Sequence, residues 1–225
     1  MQNKHLKLLL FFLLSLFLSF STLEGQDSLH TVKKPVFIHA TFYYDFPQAF
    51  GFASGLDFPI SSKLKITYEK NGTEKISHRD LIISGDVGFY RYRFNHSGLY
   101  FTPAIGKRYY DIRPHYFEML LSLGVLRTFY DGRVYTVGDD GYVKEKKNFG
   151  RYYFTSGFSV AFGHDFERSH NPKPFAVQVR PSFWIQYPYN SYLLPHLSVE
   201  LSFKYHFNRF NVSVKQKQLL SHSNK

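Results

Sequence analysis

The sequence has no cysteine. That excludes a disulfide framework, and it excludes a lipoprotein anchor, which is built on a cysteine directly behind a leader. It has one apolar run of helix-like length, at its very start, and no second one, so no transmembrane helix is predicted. It has no His-x-x-x-His, no His-Glu-x-x-His and no aspartate-rich calcium loop, so neither a metal nor a cofactor is expected. Tryptophan occurs once, against 18 tyrosines and 25 phenylalanines. Acids are scarce beside bases, and the net charge is +11. A nucleic-acid binder would cluster those bases with exposed aromatics. Here they scatter through turns and strand ends, so nucleic acid is not an expected partner. Outer-membrane lipid and anionic lipopolysaccharide are the fitting counter-surface. Plain solvation of loops is the alternative.

What is present begins with a leader. Between Leu8 and Phe20 every residue is Leu or Phe except Ser15 and Ser19, and Lys4 and Lys7 precede the run. A basic start and an apolar core too short for a comfortable span is the layout of a secretory signal peptide, assigned to residues 1–25. Cleavage after Gly25 competes with cleavage after Ser21. The remainder suits one domain. The mean hydropathy of −0.29 does not argue against a membrane barrel, whose lipid-facing and lumen-facing residues average out.

From Leu197 to Phe207 every odd position is apolar and every even one is not, which is the period of a strand and not of a helix. Eight segments of this kind reach the roughly 9–11 residues that a tilted membrane strand needs: 36–46, 49–60, 81–93, 99–109, 116–130, 151–166, 175–187 and 197–207. In the first, Val36, Ile38, Phe42, Tyr44 and Phe46 share a face. The opposite faces of the set are small and hydroxylated, with sparse charges of both signs: Asp57, Asp86, Glu118, Glu200, Arg108, Arg180 and Lys204. Such faces suit the packed lumen of an eight-stranded barrel, where buried charges pair. The aromatic excess suits interfacial girdles. The expected fold is therefore all-β: an antiparallel up-and-down transmembrane barrel of about eight strands over 36–207. Residues 26–35 form an N-terminal segment and 208–225 a basic C-terminal tail. A soluble aromatic-rich sandwich and a secreted lipocalin-like barrel remain as alternatives, because alternation alone does not say which face is solvated.

The longest hydrophilic connection, 131–150, holds two short alternating stretches around Gly138-Asp139-Asp140-Gly141 and reads as a protruding hairpin. Tyr135, Asp139, Asp140, Tyr142, Lys144, Lys146 and Lys147 are its candidate contact residues, and the two aspartates read as turn formers rather than a cation site. Residues 61–79, with Leu64, Ile66 and Tyr68 alternating up to Asn71-Gly72, read as neighbouring strands running on beyond the membrane. His39, His164 and His206 read as packing or girdle residues.

The last strand, with Tyr205 and Phe207 at its end, resembles the assembly signal of bacterial outer-membrane proteins. Together with Leu126-Arg127-Thr128-Phe129-Tyr130-Asp131-Gly132 and Gln186-Tyr187-Pro188-Tyr189-Asn190-Ser191-Tyr192, it makes the chain similar to small, functionally uncharacterised outer-membrane barrels of Bacteroidota-type bacteria. The resemblance implies an outer-membrane location, a monomer and the assembly machinery as a partner. It implies no reaction. The chain departs from the pattern by continuing past Phe207, either as a disordered tail or as an imperfect strand through Phe210, Val212 and Val214. A structural or surface-interaction role, in adhesion or envelope integrity, is the expected function. A small transporter or pore is the alternative, and a lipid-modifying enzyme a weaker one: His222-Ser223 has no downstream acid, so no catalytic residues are expected.

Overall fold

The structure is a computed structural model, and it describes residues 28–46, 49–68, 74–93, 95–110, 114–139, 141–146, 149–189 and 192–220. The leader, Asn71-Gly72, Asp140, Lys147 and His222-Ser223 lie outside the described residues.

Among the described residues there are ten strands: β1 (Ser28–Phe46), β2 (Ala49–Tyr68), β3 (Glu74–Tyr92), β4 (His96–Tyr110), β5 (His115–Tyr130), β6 (Tyr135–Val137), β7 (Val143–Glu145), β8 (Tyr152–Asp165), β9 (Phe175–Tyr189) and β10 (Tyr192–Leu220). One 3₁₀ turn, Phe166–Arg168, follows β8. β6 and β7 pair only with each other. The other eight form one sheet in which each strand pairs antiparallel with the next, and β10 returns to pair with β1. The ring is therefore a closed up-and-down barrel, with no free edge along its wall.

The alternation sorts the side chains as the period of two requires. Along β10, Leu201 is 58 % exposed while Ser202 is 2 % exposed, and Leu197, Val199, Phe203, Tyr205 and Phe207 are exposed with Leu201. Ile38, Phe42, Phe52, Val87, Phe101, Leu123, Phe154, Phe162 and Val179 continue this apolar outer surface around the wall, while the interior holds Asp57, Asp86, Arg108, Glu118, Arg180 and Lys204. A soluble barrel or sandwich would put these two sets the other way round. Apolar outside and ionic inside is the arrangement that lipid selects.

One expected facing is corrected. Val36 is buried, not on the outer face with Ile38. The β1–β10 register shifts between Val36 and Phe37, where a bulge inserts a residue and exchanges the two faces. A second shift, between Pro59 and Ser61 in the β2–β3 pairing, does the same for β2, so Asp57 and Ser62 both face inward.

β2 and β3 run on past the wall, as the alternation around Leu64 and Ile66 predicts. Residues 208–220 do the same: they continue β10 as one strand rather than forming a separate tail. Beyond the bulge, 28–36 stay paired with 208–216, and 213–220 pair in parallel with 61–68 of β2. The two-stranded ribbon of β1 and β10 thus leaves the ring, twists, and lays its β10 edge on the exposed edge of β2. Val212 and Val214 become buried by this docking.

Candidate functional site

The lumen is built in three layers. The middle one is ionic. Asp57 of β2 accepts hydrogen bonds from the Ser84 hydroxyl at 2.7 Å, from Arg108 Nη2 at 2.7 Å and from Lys204 Nζ at 2.7 Å. Glu118 of β5 accepts from Arg108 Nε and, at 3.2 Å, from Lys204. Asp86 of β3 lies 2.5 Å from His39 Nε2 and accepts from Arg180 at 3.1 Å. Glu200 of β10 accepts from Arg180 Nε at 2.8 Å and from the Ser182 hydroxyl at 3.0 Å. His39 Nδ1 faces Asp57 at 3.6 Å and so joins the two halves. Four acids meet three permanent cations, with the His39 imidazole between Asp57 and Asp86. Every strand of the ring contributes except β8, which supplies small residues opposite the charges: Gly157, Ser159, Ala161 and Gly163.

All seven lumen-face charges read from the sequence, Asp57, Asp86, Arg108, Glu118, Arg180, Glu200 and Lys204, fall in this one network. His39 is the member that sequence reasoning missed. Its position among inward-facing residues, next to Thr41, was the available signal.

Aromatic layers lie above and below the ions. Toward the end opposite the chain termini, Tyr43, Tyr90 and Tyr153 are buried, with Tyr92, Tyr100 and Trp184 packed against them. Toward the terminal end, Phe37, Tyr110 and Tyr116 are buried together, and the Arg108 guanidinium sits 4.6 Å from the Phe37 ring and 5.2 Å from Tyr116. The aromatic excess is therefore not a matter of girdles alone, since much of the tyrosine fills the lumen. Glycines make room for it. A Cβ on Gly88 would lie 2.2 Å from Tyr100, and one on Gly163 would lie 2.1 Å from Tyr116. The space left on the upper side, lined by Tyr43, Asp86, Tyr100, Trp184 and Glu200, is a cavity of about 90 Å³. That is room for a few waters and not for a solute column.

Near the upper mouth His196 stacks on Trp184 at 3.7 Å and pairs through Nδ1 with Asp45 at 2.7 Å. At the opposite mouth a cavity of about 330 Å³ lies under the ribbon, between Lys34, His78, Asp80, Tyr110, Arg168 and Val214. Burial and the cations Arg168 and Lys34 push the His78 imidazole down to about 4.

The β6–β7 hairpin, within the 131–150 connection read as a protruding hairpin, stands at the end opposite the termini. Tyr135 pairs with Glu145 and Val137 with Val143. The Gly141 amide donates to the Gly138 carbonyl at 2.9 Å, and Gly141 takes the left-handed φ of +77° that closes the turn. Val137, Tyr142, Val143, Asp139 and Lys144 are exposed. Tyr135 is exposed too, and Lys146 lies over the Phe149 ring at 5.0 Å. Phe149 stacks on Tyr130 of the wall and so ties the hairpin base to the barrel. Tyr205 and Phe207, the expected assembly signal, point outward on β10, but mid-strand rather than at a chain end.

No family pattern matches the chain, and no curated protein matches it. Among solved structures it is similar to Neisserial surface protein A, at 10 % identity and a TM-score of 0.46, over 78 % of this chain and 99 % of that one. It is also similar to the N-terminal β-barrel domain of Pseudomonas aeruginosa OprF, at 10 % identity and a TM-score of 0.39, over 77 % of this chain and all of that one. A third similarity is to the β domain of the Bordetella autotransporter BrkA, at 12 % identity and a TM-score of 0.31, over 77 % of this chain and all of that one.

Proposed function

We propose that this chain is an integral outer-membrane barrel that works as a solid body, with a structural or surface-interaction role, and that it is neither a channel nor an enzyme. The observation that carries this is the filled lumen. An eight-stranded ring leaves an interior only wide enough for side chains, and here that interior is occupied by the ionic layer and its two aromatic layers. The acids and bases of the ionic layer satisfy one another, so none of them is free to serve a substrate. The β6–β7 hairpin is the recognition element, since loops on a rigid scaffold carry function most often. Its exposed Tyr135, Tyr142 and Lys144, with Lys146, offer stacking surfaces and positive charge to lipopolysaccharide sugars and phosphates. The export leader and the lipid-facing wall support the outer membrane as the location, with Tyr205 and Phe207 presented to the assembly machinery. The barrel acts as a monomer.

Membrane fractionation with protease added to whole cells tests the reading. The expected result is recovery in the outer membrane and one cut within 131–150, with the strands intact. Recovery as a soluble periplasmic protein refutes it. Steady ion conductance of the purified protein in planar bilayers would favour the pore instead.

A further inference from the structure

We propose that Asp165, Glu167 and His206 form a binding site for a divalent transition metal of the zinc class, where the β8–β9 connection meets β10. One carboxylate oxygen from each acid and one imidazole nitrogen all lie within 4.8 Å of one another. The acids sit at the end of β8 and in the 3₁₀ turn that follows it, and the histidine on the stretch where β10 leaves the ring.

The imidazole is the second observation. The His206 side chain is only 5 % exposed, yet neither ring nitrogen makes a hydrogen bond. Asp165 Oδ1 is 3.3 Å from Nε2, and the Glu167 carboxylate lies against Nδ1, but both are off the N–H directions. A buried imidazole flanked by two carboxylates, with no hydrogen bond to either, is an arrangement that a cation between them resolves.

The surroundings hold Asp165 and His206 in place. The Asp165 amide donates to the Pro114 carbonyl at 2.8 Å, and Asp165 Oδ1 accepts from the Glu167 amide at 3.1 Å. Arg209 lies against Oε1 of Glu167, and Oε2 is the oxygen on the imidazole side. The His206 ring is packed edge-on against Phe37 at 4.4 Å. Zinc bonds of about 2.0–2.2 Å in a tetrahedral shell place neighbouring ligand atoms about 3.4 Å apart. The Asp165–His206 pair already has that separation, and Glu167 reaches it by swinging its carboxylate from the Nδ1 side to the Nε2 side. One imidazole with two carboxylates suits zinc better than calcium or magnesium, which prefer oxygen throughout. Three protein ligands leave a fourth position for water. No contiguous motif announces the site because its ligands come from two segments that are distant in sequence.

The test uses untagged full-length protein refolded into detergent micelles, stripped with chelator and titrated with zinc chloride by calorimetry. Thermal unfolding is followed in parallel through the single tryptophan, Trp184. One equivalent is expected to bind and to raise the unfolding temperature. Asp165→Asn and His206→Gln should each weaken binding at least tenfold. Glu167→Gln, on the turn outside the wall, serves if either of those variants fails to show the folded, heat-modifiable gel band. The exposed pair His115 and His164, with Nδ1 atoms 3.3 Å apart, is the internal control, and its double alanine variant should bind as the parent does. Absence of stoichiometric binding would overturn the proposal. So would binding that is lost with His115 and His164 and kept in Asp165→Asn.

Discussion

Lys204→Met is the sharpest test of the ionic layer. Lys204 Nζ lies 2.7 Å from Asp57 and 3.2 Å from Glu118, and its side chain is 2 % exposed. Methionine keeps most of its volume and removes its charge. Asp57 and Glu118 are then left to share Arg108, with the His39 imidazole 3.6 Å from Asp57. Breaking a buried pair by removing one partner costs about 3–5 kcal/mol, because the remaining charge stays desolvated. We expect that loss in urea unfolding of the vesicle-inserted protein, read by Trp184 fluorescence. Adding Glu118→Gln removes the orphaned charge and returns the layer to the parent's net charge. We expect the double variant to recover about 2 kcal/mol or more, since replacing both members of a buried pair is often close to neutral. A Lys204→Met variant with the parent's urea midpoint, or a double variant less stable than the single, would refute the picture of a charge-balanced lumen.

Three further outcomes follow from the geometry. Leu201→Arg on the lipid face should cost about 2–4 kcal/mol if that residue sits near the bilayer midplane, whereas Ser202→Ala loses only its buried 2.8 Å contact with the Thr41 hydroxyl and should cost about 1 kcal/mol in the same urea assay. Gly163→Ala places a Cβ 2.1 Å from the Tyr116 ring and should cost about 1–3 kcal/mol, visible as a lower temperature for loss of the heat-modifiable gel band. His78 takes up its proton at about 4 when folded and near 6.5 when unfolded, so the stability it confers is whole above 6.5 and drains away as the pH falls toward 4. His78→Gln should reduce the difference in urea midpoint between pH 7 and pH 5, and an unchanged difference would contradict the assignment.

The wall was legible in the sequence because a barrel in lipid imposes its period on nearly every residue. Along β10 the apolar and polar faces separate without exception from Leu197 to Phe207, and each of the seven charges read for the lumen lies inside the barrel. Single-residue shifts of register were not legible. Val36 belongs to the same alternation as Ile38, and only the bulge beside Phe37 turns it inward. The split of tyrosine between girdle and lumen was hidden for a related reason. The ring suits either place, and the choice depends on a facing glycine on the neighbouring strand that is distant in sequence, as with Tyr116 and Gly163. His39 was missed because a lone strand histidine carries no charge pattern until Asp57 and Asp86 are known to converge on it. The alternation of Phe210, Val212 and Val214 left 208–220 open between strand and tail, since the partners that settle it are the distant segments 28–36 and 61–68.

That last pairing bears on how the molecule comes to be folded. The ring closes by joining its first strand to its last, and the seam is then fastened again by 213–220 lying along β2. Neither join exists until the whole chain is available, so closure is a late event that must overcome the entropy of bringing distant segments together. Before it occurs, residues 61–68 of β2 present a bare row of amides and carbonyls, a template for a neighbouring chain. The residues past Phe207 therefore act as a built-in guard against intermolecular pairing. A chain truncated after Phe207 would still complete the wall and would carry an unguarded edge on the side of its termini.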